Sequence, residues 1–101
     1  MKKYILDLSH KEKKKLGFTY DRELNDYIYE YPVYLYKDKP TITCKVRINE
    51  NNEVCFSVHN SNGKIYSGYY AREYGKSDIL PIIDRNIEKG LKKIGVRQKE
   101  N

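Results

Sequence analysis

Between Ile42 and Ile48 the side chains alternate without exception: Ile42, Cys44, Val46 and Ile48 are apolar, and Thr43, Lys45 and Arg47 between them are polar. A period of two is the mark of a β-strand with one buried and one open face, because successive Cβ atoms point to opposite sides of the pleat. Such a strand needs neighbours of matching parity and an apolar element to lie across its buried side. The rest of the chain is read for both.

Upstream, β-prone residues alternate from Tyr27 to Tyr36, with Tyr27, Tyr29, Tyr31, Val33 and Leu35 on one side and Ile28, Glu30, Pro32, Tyr34 and Tyr36 on the other. Pro32 lacks the amide that an interior strand needs, which makes this an edge strand, and Lys37-Asp38-Lys39-Pro40 turns the chain into the next one. Downstream, Val54, Phe56 and Val58 fall on the side of Val46 and Ile48 if Glu50-Asn51-Asn52 is a three-residue loop with Asn52 left-handed. Asn62-Gly63 reads as a type I′ hairpin turn pairing Ser61 with Lys64, His59 with Tyr66, Ser57 with Gly68 and Cys55 with Tyr70. A fourth strand then runs from about Lys64 to Tyr70, with Glu30 expected opposite Arg47 across the first pair.

The apolar cover comes from the end of the chain. Leu80, Ile83, Ile87, Leu91 and Ile94 make one helical stripe, capped by Ser77 or Asp78, with Pro81 in the first turn and Gly95 at the end. A shorter helix is expected after Ser9-His10-Lys11-Glu12, whose spacing is that of a capping box, ending at Gly17. The expectation is an α+β fold: a four-stranded antiparallel meander with one face covered by the C-terminal amphipathic helix, plus a short N-terminal helix. Residues 1–95 form the single domain, and residues 96–101 form a frayed basic tail.

Composition narrows the function. A chain of 101 residues has room for one domain and no large catalytic apparatus. The formal charge of +6 arises from the two ends, each with six Lys or Arg against two acids, and serves solubility as readily as nucleic-acid contact. Only Cys44 and Cys55 are present and His10 and His59 are far apart, so no disulfide framework, metal site or cofactor is expected. No apolar run reaches membrane-spanning length and the N-terminus carries no signal-peptide pattern, so the expected location is the cytoplasm. No phosphate loop, paired carboxylates or activated nucleophile is legible, and an enzyme is not expected.

The face turned away from the helix is the candidate site. The registers above put Tyr34, Tyr36, Lys45, Arg47, His59, Tyr66 and Tyr70 on it, and Arg72 and Tyr74 extend it in the segment leading to the final helix. Tyrosine and arginine are favoured at protein interfaces, so the leading reading is a non-enzymatic binding protein engaging a host or element-encoded protein, itself a monomer or weak dimer. The alternative is single-stranded nucleic acid, with tyrosines as stacking platforms and Lys45 and Arg47 near phosphates. Tyrosines also suit strands for structural reasons alone.

The order Leu16-Gly17-Phe18-x-Tyr20-Asp21, Tyr29-x-Tyr31-Pro32, Asn62-Gly63-x-x-Tyr66-x-x-Tyr69-Tyr70-x-x-Glu73-Tyr74-Gly75 and a closing helix ending Ile94-Gly95 resembles small uncharacterised proteins of phages and integrative elements of Gram-positive bacteria. The resemblance implies a mobile-element origin and an accessory or host-modulating role. It brings no catalytic residues with it.

Overall fold

The computed structural model describes residues 3–67, 69 and 79–99. In chain order these form β1 (Lys3–Ile5), α1 (His10–Leu16), β2 (Thr19–Asp21), β3 (Asp26–Tyr36), β4 (Lys39–Ile48), β5 (Glu53–Asn60), α2 (Leu80–Lys93) and β6 (Arg97–Lys99). The strands make one antiparallel sheet in the order β2-β3-β4-β5-β1-β6. The fold is α+β with six strands where four were expected.

The alternation of β4 acts as the ruler for the sheet. Ile48 pairs with Val54, Val46 with Phe56 and Cys44 with Val58, so the apolar residues of both strands share one face. Parity is kept by the Glu50-Asn51-Asn52 loop: the Asn49 amide donates to the Glu53 carbonyl, and Asn52 sits at φ 63. Leu80, Ile83, Ile87, Leu91 and Ile94 are buried against this face together with Leu6, Phe18 and Val33. Burying each such aliphatic side chain stabilises the fold by roughly 1.5–3 kcal/mol, which is why a stripe and a face of equal length find each other.

Close approach of α2 to β3 depends on one residue without a side chain. A Cβ on Gly90 would stand 2.2 Å from Cε2 of Tyr31. With hydrogen there, the Tyr31 ring slides against the helix and its hydroxyl donates to the Ile87 carbonyl at 2.8 Å. Burial raises the Tyr31 phenol above its ordinary pKa, with the neighbouring Cys44 adding to the shift. Burial likewise pushes the Cys44 thiol up to about 11, while the hydrogen bond with Tyr31 opposes it.

Helix α1 carries the full capping box, with the Glu12 amide donating to Ser9 Oγ and the Ser9 amide donating to Glu12 Oε1. The Ser9 amide first, and then the Ser9 hydroxyl, hold the Glu12 carboxyl below its usual value. On the inner side of α1 the buried Lys13 ammonium donates to Asn52 Oδ1 at 3.1 Å and lies 4.5 Å from the centre of the Tyr27 ring. Asn52 in turn donates to Asp7 at 3.3 Å, so the left-handed loop residue is the post to which α1 is tied.

Four expectations change. Residues 96–99 of the expected tail do not fray: the Gly95 amide donates to Lys92 and the Val96 amide to Leu91, a helix-ending turn that buries Val96 and delivers β6 alongside β1. Strand β3 is an edge along only part of its length, since β2 covers Asp26, Tyr27 and Ile28. Glu30 lies opposite Lys45, not Arg47, whose partner is Ile28. Among the described residues, the expected fourth strand from Lys64 to Tyr70 is reduced to a single bridge between His59 and Ile65, its expected partners Gly68 and Tyr70 lying outside them. The proposed caps Ser77 and Asp78 lie outside the described residues.

Candidate partner-binding face

Strand pairing lays out the uncovered face in rows. Leu35 faces Pro40; Pro32, Thr43, His59 and Ile65 follow in line; then Glu30, Lys45 and Ser57; then Ile28, Arg47 and Cys55. Two local irregularities decide which side chains reach it.

The first is a bulge in β3. Pro32 pairs with Thr43 and Tyr34 with Ile42, leaving Val33 as an extra residue whose carbonyl accepts from Asn86 Nδ2 of α2 at 2.9 Å. The bulge reverses the alternation, so Tyr34 shares the side of Ile42 and packs half-buried against the core. Tyr34 therefore leaves the candidate face. Leu35 takes its place, 54 % exposed, while Tyr36 ends on the far side at the hairpin tip with Lys37 Nζ 5.5 Å from its ring centre.

The second is the turn after β5. Gly63, at φ 85, is the left-handed residue of a three-residue loop, and the Asn60 amide donates to the Lys64 carbonyl. Compared with a two-residue type I′ turn this slips the register by one and exchanges the faces. Ile65 stands beside His59 on the open face, 51 % exposed, and Tyr66 turns toward the core with its amide donating to the Val58 carbonyl. Tyr66 is thus removed from the site, and Ile65, which sequence reasoning passed over, enters it. Tyr70, Arg72 and Tyr74 lie outside the described residues.

The remaining expected residues, Lys45, Arg47 and His59, are on the face, but each is engaged. Lys45 Nζ lies 3.6 Å from Glu30 Oε1, and Arg47 Nη1 lies 3.7 Å from Asp26 Oδ2. These partly exposed pairs contribute at most about 1 kcal/mol each, yet they cancel the field that would attract a phosphate. His59 Nδ1–H donates to the Gly63 carbonyl at 3.1 Å, and its Nε2 shares a hydrogen bond with Ser57 Oγ at 2.6 Å. A carbonyl can only accept, so Nδ1 carries a hydrogen, and both ring nitrogens serve to pin the loop to β5.

Between the hairpin tip of β3 and β4 and this loop lies a cleft of about 290 Å³, lined by the polar Glu30, Thr43, Lys45, His59, Asn60 and Ser61 together with Pro40 and Gly63. The Glu30–Lys45 pair reaches into this cleft, the Asp26–Arg47 pair lies farther along the face, and Leu35 and Ile65 stand exposed outside the cleft's lining. Among the described residues no group of three His, Cys, Asp or Glu is placed to hold a metal ion, and no helix is long and apolar enough to cross a membrane.

No protein-family model matches the chain, and no curated protein matches it. Among solved structures, the chain is similar to a DUF1831 family protein from Lactobacillus plantarum, with a TM-score of 0.56 and 10% sequence identity over 98% of this chain and 89% of that one. At that identity the likeness concerns the path of the backbone: the two chains share an α+β fold over nearly their whole lengths.

Proposed function

We propose that this chain is a non-enzymatic binding protein whose partner is another protein, from the host or encoded beside it on a mobile element, seated on the apolar end of the open sheet face. The observation that carries the reading is the contrast within that face. Leu35 and Ile65 are half exposed next to Pro32, Pro40 and His59, while the cations of the same face are already paired with acids. Exposed apolar side chains are the usual core of an interface, with charges at the rim. Single-stranded nucleic acid is the weaker reading, because Lys45 and Arg47 would first have to leave Glu30 and Asp26.

Capture from a native lysate with tagged protein, with and without nuclease, tests this directly. A stoichiometric protein is expected to survive nuclease and to be lost from the Leu35→Asp, Ile65→Asp double variant, but kept by the Lys45→Ala, Arg47→Ala variant. Loss in the second variant with retention in the first, or material that vanishes with nuclease, overturns the reading. Unfolding curves of both variants are expected to show a folded domain, since all four side chains lie at least partly exposed.

A further inference from the structure

A second surface, on the edge of the sheet and not on its face, has the features of a peptide site. Beyond the Thr19–Ile28 pair, no strand among the described residues covers β3, which leaves its edge open from Tyr29 to Tyr36. Pro32 has no N–H, so its backbone faces outward, and alternation by two aims the Glu30 N–H and C=O at the same open side. A hollow lies on either flank of this stretch. One, of about 310 Å³, is the crease between β3 and α2, where Tyr29 and Tyr31 meet Lys89 and Lys93. The other opens on the outer side, lined by Gly17, Thr19, Ile28, Tyr29 and the Glu30–Lys45 pair.

Two hollows flanking one unpaired strand edge are what an added strand needs, since its side chains point alternately to either side. The helix-side crease supplies the selectivity. Lys89 and Lys93 are one helical turn apart, both exposed, and neither belongs to an ion pair among the described residues. We propose that the open edge of β3 receives an extended acidic segment of a partner protein as an added antiparallel or parallel strand, its carboxylates lying over Lys89 and Lys93. A second copy of the chain is a poor occupant: it brings a charge of +6 and the same lysines to the same place.

The test is a titration of the isotope-labelled chain, followed by amide resonances, with a capped hexapeptide alternating glutamate and threonine and, in parallel, one alternating lysine and threonine. The Glu30 amide is expected to shift and its hydrogen exchange to slow with the glutamate peptide alone. Lys89→Glu with Lys93→Glu should weaken that binding by about tenfold or more and transfer the preference to the lysine peptide. Four results overturn the proposal: no response of the β3 edge up to the solubility of the peptide, equal response to both peptides, changes confined to the Leu35, His59 and Ile65 face, or a free chain that doubles in mass with Glu30 protected. The two lysines are exposed and the same spectra report the fold, so loss of binding is separable from loss of structure. The outcome is also independent of the face proposed above for partner capture.

Discussion

The two sides of β4 show what the same strand can be asked to do. Toward α2, Cys44, Val46 and Ile48 are wholly buried, and the helix is held by specific contacts, with Tyr31 filling the space left by Gly90. Toward solvent, Lys45 and Arg47 pair with acids from β3, and the apolar residues beside them remain half exposed. The inner side places nearly all its surface in the service of stability. The outer side spends its charges on cohesion and leaves its hydrophobic end unused by the fold, which is the basis for reading that end as functional.

The contrast is sharpest in how each side answers truncation. Ile83→Ala on the covered side should lower stability by about 2–5 kcal/mol, whereas Ile65→Ala should stay within about 0.5 kcal/mol. Denaturant unfolding of the two variants checks this, and equal losses would break the distinction. Gly90→Ala should cost about 1–3 kcal/mol because the ring of Tyr31 must move. It would otherwise gain about 1 kcal/mol of helix propensity, so a stabilised variant would show that the close approach is absent.

Alkaline titration separates the sides next. The Cys44 thiol is raised from 9.0 to about 11 and the Tyr31 phenol is raised above 10.0. The unfolded chain therefore releases these protons first, so their contribution is complete below pH 9 and is lost as the pH climbs through the raised values. Tyr31→Phe should flatten the fall in stability above pH 10, at the cost of about 0.5–1.5 kcal/mol for the hydrogen bond to Ile87. Thiol chemistry gives the same division without unfolding: Cys55 is exposed and should be alkylated in the native state, whereas Cys44 is buried and should react only in denaturant. The smallest effect is on the outer side, where a double-mutant cycle between Glu30 and Lys45 should return no more than about 1 kcal/mol, falling with added salt.

What could be read from the residues followed the inner side. The alternation of β4, the Asn52 loop and the α2 stripe are each constrained by burial, since a slip of one residue would bring polar side chains into the core. The outer side carries no such penalty: Glu30 lies opposite Lys45 instead of Arg47, and at two further positions the expected faces are exchanged. Pro32 was recognised as an edge signal, but nothing in Tyr-Pro-Val-Tyr fixes where the extra residue falls; Asn86, more than fifty residues away, takes the freed Val33 carbonyl. Asn62-Gly63 suits a two-residue turn and also the three-residue loop that His59 stabilises through the Gly63 carbonyl. Tyr34 and Tyr66 both moved inward for these reasons, and Leu35 and Ile65 moved out. Three-residue strands such as β1 and β6 are too short for periodicity and form because the ends of the chain meet beside Glu53 and Val54.

Whether the open face carries exposed apolar side chains depends on which residue stands beside His59, and proton–proton contacts measured in solution decide it. The account predicts contacts from the His59 ring to the methyl groups of Ile65, together with contacts from the Tyr66 ring to the apolar side chains of the core. Contacts between the His59 and Tyr66 rings, with Ile65 turned inward, would restore the two-residue turn and remove the proposed apolar site from the open face.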